Sequence, residues 1–152
     1  MGRVVGIDIG KVNIGWAVVE EGPNIISSGT LRLNKKRKVT IPRFAHWLLE
    51  EINWEELDLV VFEKYWVGFS GAPFVSASNA EFTGILKGIT LSKGVHYEEV
   101  DAQSVKKYVA GDGRASKSDV KRGVAEKTGF ITFEDEHHSD AIAIALYGLN
   151  LH

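Results

Sequence analysis

The segment VVGIDIG, residues 4–10, predicts a buried strand that ends in a carboxylate. Residues 3–9 are rich in β-branched side chains, which favour a strand, and Gly10 ends it. Asp8 therefore lies at the end of a strand that other parts of the chain must bury. A carboxylate at such a place is costly unless it is paired or bound to a cation.

Two further carboxylates occupy comparable places downstream. Glu63 closes the apolar run 57–62, a short continuous stretch typical of a buried central strand. Asp140 opens the apolar part of the final helix, and His137 lies three residues before it on the same helix face. If the first and fourth strands are neighbours, Asp8 and Glu63 emerge at adjacent strand ends. Carboxylates that converge repel one another unless a cation lies between them, so we predict a divalent-metal site.

The predicted ligands also indicate which metal and which chemistry to expect. Oxygen ligands favour Mg²⁺ or Mn²⁺, and an added imidazole suits Mn²⁺ well. Two such ions about 3.5–4 Å apart can activate a water and stabilise the leaving oxygen of a phosphodiester.

Each candidate ligand also has a structural interpretation that the sequence leaves open. Asp8 could make a turn, and Glu63 could pair with a basic residue at the surface. Asp140 could be an acid favoured by the dipole of a helix N-terminus. His138 lies beside His137, so either imidazole could be the ligand and either could be a surface residue.

The composition is that of one globular domain over residues 1–152, with 44% hydrophobic and 25% charged residues. There is no cysteine, which excludes a disulfide framework, a thiolate zinc site and a cysteine nucleophile. No apolar run approaches the roughly 20 residues of a membrane span, and the first residues lead straight into a strand. We therefore expect a cytoplasmic protein without a membrane partner, in a bacterium or in the host cell of a phage.

Charge is distributed unevenly along the chain, although its formal total is only −2. Residues 101–128 carry seven basic and four acidic residues, whereas residues 50–63 are strongly acidic. A locally basic face on a mildly acidic protein suits a polyanion binder whose metal site carries its own negative charge. A solvated, lysine-rich surface would have the same pattern. The basic run 35–38 could likewise grip DNA or form a solvated turn.

The remaining pattern predicts an α/β protein with a mixed five-stranded sheet flanked by helices. Tight turns join the first three strands into an antiparallel meander. Besides residues 3–9 and 57–62, strands are predicted at residues 13–19, 25–33 and 95–100. Helices are predicted at residues 40–52, 80–91, 101–109, 116–127 and 137–149, the first with Thr40 as its N-cap. The aromatic-rich segment 64–78 is predicted to be a loop.

Several segments of the chain resemble the RuvC-type Holliday-junction resolvases of the ribonuclease H-like superfamily. They are GIDIG at 6–10, IGWAV at 14–18, VFE at 61–63, VKK at 105–107, GDGRASK at 111–117 and HHSDA at 137–141. The first segment alone is a weak signal, because acetate and sugar kinases begin similarly. All of them occur in the family's order and cover essentially the whole chain, so together they are specific.

The resemblance implies a ribonuclease H-like fold and a metal-dependent endonuclease that resolves four-way DNA junctions by paired, symmetric nicks. The family has a metal ligand, Asp or His, three residues before its last Asp, which selects His137. Lys106 and Lys117 match two basic positions that the family places near the scissile phosphate; otherwise they are ordinary surface lysines. Trp66 matches an aromatic thought to stack on a base at the junction centre, and its alternative role is core packing. Further DNA contacts are expected from Lys107, Arg114 and Lys121.

The resemblance also implies a homodimer, since a twofold-symmetric dimer places one site on each of two opposed junction strands. The helix at residues 80–91 is the expected interface, because its apolar face follows an aromatic-rich loop. Alternatively, that face belongs to the monomer's own core. Nothing in the sequence indicates whether a branch-migration motor is a partner.

Other functions compete with junction resolution. A YqgF-like nuclease acting on RNA shares the Asp-x-Gly opening, and only substrate tests separate the two. A catalytically inert junction-binding module would need no carboxylate cluster. An actin-like or sugar-kinase ATPase would need a second phosphate-binding lobe, for which 152 residues leave little room.

Overall fold

The computed structural model describes residues 2–10, 12–33, 37–64 and 73–152, with only the backbone described at 37–39 and 73–78. Five strands within these ranges form one mixed sheet. They are β1 (Arg3–Ile9), β2 (Asn13–Glu20), β3 (Asn24–Arg32), β4 (Leu57–Glu63) and β5 (His96–Val100), in the spatial order β3-β2-β1-β4-β5. The predicted five-stranded mixed sheet is therefore confirmed.

The pairing of the strands brings the predicted site residues to one edge of the sheet. Strands β1, β2 and β3 form an antiparallel meander, and β4 pairs in parallel with both β1 and β5. In the β1–β4 register Ile7 lies opposite Phe62, and the next residue on each strand is Asp8 and Glu63 respectively. The two carboxylates thus come from neighbouring strands at their shared carboxyl end.

Five helices in the described ranges cover the two faces of the sheet. They are α1 (Arg37–Glu50), α2 (Pro73–Ser92), α3 (Ala102–Ala110), α4 (Lys117–Thr128) and α5 (Glu136–Asn150). Helix α5 packs along β1 and β2 with α3 and α4 beside it, and α1 and α2 cover the opposite face. None of these helices combines the length and the hydrophobicity that a bilayer crossing requires.

Alternation along β1 divides the core into two layers. Val4 belongs to the apolar cluster on the α5 side, whereas Val5 and Ile7 belong to the cluster on the α1–α2 side. Successive side chains of a strand point to opposite faces. Asp8 therefore faces α5, on the same side as Val4.

Two helices begin earlier than predicted. Thr40, the predicted N-cap of α1, is buried inside the helix, which begins at Arg37. Arginine and lysine are good helix formers, so part of the basic run extends the helix instead of linking two elements. Helix α2 begins at Pro73, so the last residues of the predicted loop, 73–78, are helical. Proline is favoured at the first helical position, but that turn carries no apolar period to reveal it.

The ends of α3 and α4 follow local signals to different degrees. The Ser116 hydroxyl accepts a hydrogen bond from the Asp119 backbone N–H, and the Asp119 carboxylate accepts one from the Ser116 N–H, so the two residues form a capping box. Gly129 ends α4 in the left-handed conformation, with φ of 76°. Asp101 precedes α3 as predicted, but its side chain makes no capping hydrogen bond.

The apolar face of α2 is turned into the monomer. Phe82 and Leu86 are buried in the cluster on the α1–α2 side, and Ile85 and Ile89 pack against it. The monomer's own core therefore uses this face, as the alternative interpretation stated, and the dimer interface expected on this helix stays a prediction.

Candidate active site

Two glycines let the first turns of α5 lie almost against the sheet. A Cβ at Gly6 would overlap the α5 backbone, and a Cβ at Gly15 on β2 would overlap the carbonyl group of His137. Larger residues at either place would push the helix outwards, because backbone atoms have no room to yield. This close approach brings His137 and Asp140 to the carboxyl end of β1, where Asp8 lies.

Polar contacts to β3 fix the position of the first turn of α5. The Asp135 carboxylate accepts hydrogen bonds from the Thr30 hydroxyl at 2.8 Å and from the His138 N–H at 3.0 Å. The Thr30 backbone N–H donates to the Glu134 carboxylate at 3.2 Å. Helix α5 accordingly begins at Glu136, one residue before the predicted start.

His138 is a structural residue whose two ring nitrogens are both engaged. The Glu134 N–H donates to Nδ1 at 3.0 Å, so the ring proton lies on Nε2, which is 2.8 Å from the Ser28 hydroxyl. The ring is buried edge-on against two phenylalanines in segment 130–133, and burial lowers its pKa. This arrangement leaves His138 no nitrogen for a metal, which favours His137 as the candidate ligand.

Asp8 and His137 are in direct contact. The distance between Asp8 Oδ2 and His137 Nδ1 is 2.7 Å, and the two side chains are 16% and 34% exposed. The hydrogen bond to Asp8 raises the pKa of His137, although partial burial opposes the rise. Asp8 and His137 are 129 positions apart in the sequence, so the tertiary fold brings them into contact.

Glu63 and Asp140 are partly buried carboxylates that feel each other's charge and that of Asp8. Burial, followed by the charges of Asp8 and Asp140, raises the pKa of Glu63 to about 7. Burial, followed by the charge of Asp8, raises the pKa of Asp140 to about 6. No residue in the described ranges donates a hydrogen bond to either carboxylate. Acids in such surroundings hold a proton more readily than usual, and a bound cation would favour their ionised forms.

The chemistry of this donor set fits a divalent metal. Three carboxylates and one imidazole, drawn from β1, β4 and α5, are ligands that Mg²⁺ and Mn²⁺ accept. As the side chains stand, no three acidic or histidine residues in the described part of the chain are close enough to enclose an ion. The charges that repel one another in this open arrangement are those that a bound cation would neutralise.

Lys106 and Lys117 lie beside the carboxylates. Both lysines line a cavity of about 140 Å³ together with Glu63 and Asp140. Lys106 comes from α3, and Lys117 is the first residue of α4, so the capping box positions it. The ammonium group of Lys117 forms an ion pair with Glu136, and this hydrogen bond raises the pKa of the lysine.

A profile of the family described as crossover junction endodeoxyribonuclease RuvC matches residues 4–147. The chain belongs to the RuvC family. It is 27% identical to the crossover junction endodeoxyribonuclease RuvC of Prochlorococcus marinus (strain AS9601), over 97% of this chain and 96% of the relative. It is 28% identical to the RuvC of Synechocystis sp. (strain ATCC 27184 / PCC 6803 / Kazusa), over 97% of this chain and 91% of the relative. The resemblance inferred from the sequence is thereby confirmed.

Solved RuvC structures show the same fold. The structure of Thermus thermophilus RuvC superposes with a TM-score of 0.79 at 24% identity, over 95% of this chain and 91% of that one. The T. thermophilus RuvC in complex with Holliday junction substrate gives 0.85 at 22% identity, over 99% and 96%. The predicted ribonuclease H-like α/β fold is confirmed, and RuvC nucleases are metal-dependent.

The residues expected to contact DNA in this RuvC-family protein lie outside the carboxylate cluster. Lys107 is exposed on α3, Arg114 is exposed in the turn before α4, and Lys121 is half-buried on α4. Trp66, expected to stack on a base, and Lys35 and Lys36 of the basic run lie outside the described residues.

Acidic residues just before His137 contribute to the RuvC-family site in ways that the sequence did not reveal. Glu134 and Asp135 fasten the start of α5 to β3, and Glu136 holds Lys117. The available signal was an N-cap: an Asp three residues before His138 can accept that residue's backbone N–H. The predicted helix start at His137 missed this N-cap.

Proposed function

We propose that this protein resolves four-way DNA junctions by symmetric, paired nicks, as a metal-dependent endonuclease of the RuvC family. The observation that carries the proposal is the contact of Asp8 with His137 beside Glu63 and Asp140, at one edge of the sheet. Membership of the RuvC family disfavours both a YqgF-like nuclease acting on RNA and an inert junction-binding module.

Asp8, Glu63, Asp140 and His137 are the residues that we assign to the metal, as two Mg²⁺ or Mn²⁺ ions. When bound, such ions provide an activated water and stabilise charge on the phosphate and the leaving oxygen. The raised pKa values of Glu63 and Asp140 support this assignment, because burial and then neighbouring carboxylates disfavour the charged forms, and nearby cations offset this only in part. The engagement of both His138 nitrogens supports His137 as the fourth ligand.

Lys106 and Lys117 are assigned to the charge that develops on the scissile phosphate. Their place in one cavity with Glu63 and Asp140 supports this role. Lys117 must exchange its partner Glu136 for a phosphate oxygen, and the exposure of both side chains makes this exchange easy. Ion pairs at exposed sites are worth about 0–1 kcal/mol.

The DNA partner is proposed to be a four-way junction, the substrate in complex with the T. thermophilus RuvC. Lys107, Arg114 and Lys121 are assigned to backbone phosphates, and Trp66 to stacking on a base at the junction centre, which is worth about 1–3 kcal/mol. A homodimer with twofold symmetry matches the approximate symmetry of the junction. The relatives named above are bacterial, and we place this protein in the cytoplasm, where bacterial DNA lies.

Cleavage of an end-labelled synthetic four-way junction tests the proposal. Linear duplex and an RNA–DNA hybrid serve as comparison substrates, each with Mg²⁺, Mn²⁺ or EDTA. We expect paired nicks at symmetric positions on the junction alone, with both metals and not with EDTA. Cleavage of the hybrid would favour the RNA nuclease, and tight junction binding without a cut would favour the inert module.

The dimer is tested separately by the mass of the protein in solution. We expect twice the chain mass of 16.8 kDa at micromolar concentration. A monomeric mass under those conditions would contradict the symmetric, paired mechanism.

A further inference from the structure

Another cavity lies at the opposite end of β1 from Asp8 and on the other face of the sheet. Arg3, the first residue of β1, lines it, and five residues of extended chain place it roughly 17 Å from Asp8. Its volume is about 210 Å³. The apolar lining consists of Trp16, Val18, Ile26, Trp47, Ile52 and Leu57. We call this cavity the tryptophan groove.

The floor of the tryptophan groove is aromatic and open to solvent at one side. The rings of Trp16 and Trp47 are 6.0 Å apart between centroids and tilted by 53°. Ile26 on β3 is 41% exposed beside them, an unusual exposure for a large aliphatic side chain next to two tryptophans. Cavities of about 150 Å³ hold a benzene ring, so the groove accommodates one ring-sized or leucine-sized side chain.

The rim of the tryptophan groove is acidic. Glu51 and Glu56 line the opening, and residues 50–58 carry five acids and no base. Among the described residues Arg3 is the one cation of the lining, and it forms ion pairs with both Glu20 and Glu56. Glu56 is thus partly neutralised, whereas Glu51 forms no ion pair within the described part of the chain, so the rim carries more acid than base.

This combination excludes DNA and selects a protein segment as the occupant. A polyanion is repelled by an acidic rim, whereas lysine and arginine side chains are attracted to it. Aromatic pockets that enclose one large side chain within a polar rim are typical of the centre of protein interfaces. The distance from Asp8 leaves the groove accessible when DNA occupies the carboxylate end of the sheet.

We propose that the tryptophan groove docks a segment of a partner protein that presents one aromatic or aliphatic side chain flanked by lysine or arginine. The apolar side chain lies against Trp16 and Trp47, and the flanking cations meet Glu51 and Glu56. The inference stands on the groove alone and not on the proposed nuclease activity.

Selection of a random 12-residue peptide library on the full chain tests this inference. We expect the enriched peptides to share one large apolar residue flanked by at least two basic ones. Ile26→Asp places a charge on the apolar floor, and Glu51→Lys reverses the charge of the rim. Each variant should weaken the enriched peptides by about tenfold or more, as expected for a central interface residue.

Two matched variants control for general effects of the substitutions. Leu49→Asp makes the same change at another exposed aliphatic residue, 47% exposed on α1, and Glu126→Lys makes the same charge reversal on α4. Both should bind the peptides within about twofold of the unmodified chain, and all four variants should cut junctions at the unmodified rate. A failed nuclease proposal therefore leaves this result untouched.

Several outcomes would overturn the inference. Enriched peptides that are acidic or lack a large apolar residue would do so, as would equal losses in groove and control variants. No peptide binding more tightly than about 1 mM would also exclude the proposed docking role. Dissociation of the homodimer by Ile26→Asp would assign the groove to a second copy of this chain instead.

Discussion

The two ends of strand β1 hold charge in opposite ways. At the amino end, Arg3 is matched by Glu20 and Glu56, and all three side chains keep access to water. At the carboxyl end, Asp8 lies beside two carboxylates whose pKa values are raised by burial and by mutual repulsion. Ion pairs of the first kind add little to stability, whereas crowded carboxylates reduce it until a cation binds.

The difference between the two ends of β1 indicates where this fold can hold a metal site. Matched charges at a strand end need no bound cation, and unmatched acids at a partly buried strand end point to one. Both ends belong to a single rigid strand within one sheet, so the difference comes from side chains and not from backbone flexibility.

Asp8→Asn should have the largest effect on cleavage, because it removes a proposed metal ligand at the carboxyl end of β1. We expect the single-turnover rate of junction cleavage to fall roughly a thousandfold, which corresponds to about 4 kcal/mol of lost transition-state stabilisation. Junction binding should change little, because it arises mainly from Lys and Arg contacts with phosphates. Asp58→Asn, at an exposed acid near the amino end, is the matched control and should cut normally. A wild-type cleavage rate in Asp8→Asn would disprove the assigned mechanism.

Gly6→Ala should separate α5 from the sheet at the middle of the same strand. A Cβ at this position overlaps the α5 backbone, so we expect the free energy of unfolding to fall by about 3 kcal/mol in urea melts. Gly84→Ala on α2 is the control, because a Cβ there meets no atom within 4 Å and alanine favours a helix. It should raise stability by up to about 1 kcal/mol. Equal effects at both glycines would show that the close approach of α5 is not required.

Glu63→Gln should stabilise the metal-free protein while abolishing its activity. The pKa of Glu63 rises from 4.5 to about 7 on folding, so its ionisation disfavours the folded state. This penalty is absent below pH 4.5, grows as the pH rises and is complete above about pH 7. In EDTA at pH 8 we expect the variant to gain about 3 kcal/mol in urea melts.

Urea melts of the wild type and of Glu63→Gln at two pH values separate the effect of charge on stability from that of packing. At pH 4.5 the two should unfold at nearly the same urea concentration, because Glu63 is then protonated in the folded wild type. Mg²⁺ or Mn²⁺ at pH 8 should stabilise the wild type more than the variant. A gain of equal size at both pH values would attribute the effect to packing and would refute the repulsion argument.

Glu56→Gln should have only a small effect on stability, although it removes an ion pair at the amino end of β1. Glu56 is half-exposed, so we expect the free energy of unfolding to change by less than about 1 kcal/mol, with a smaller change in 1 M salt. Cleavage should be unaffected. A loss as large as that of Gly6→Ala would mean that the two ends of β1 do not differ in the way described.

Local signals in the sequence were sufficient for the sheet and for the ends of α4. Strand β1 has the predicted bounds because its β-branched run is unbroken up to Gly10. The capping box at Ser116 is a contact between residues three apart, so the sequence contains all of it. Asp8 and Glu63 were expected to be neighbours because each ends an apolar run, and the pairing of β1 with β4 confirms that the strands are adjacent.

The rest of the site depends on contacts that no local pattern contains. His137 and His138 are equivalent in sequence, and only the packing of α5 against β3 sends one ring to Asp8 and the other to Ser28. The pairing of Lys117 with Glu136 likewise joins the starts of two helices. The apolar face of α2 has the same limit, since an apolar pattern does not state whether the monomer's core or a partner covers it.

The position of α5 in the chain has a consequence during synthesis. Ribosomes release a polypeptide from its N-terminus, so all five strands emerge before the helix that carries His137 and Asp140. A nascent chain stalled anywhere before residue 137 holds Asp8 and Glu63 without their two partners. On the proposed assignment, an unfinished copy therefore lacks two of the four metal ligands.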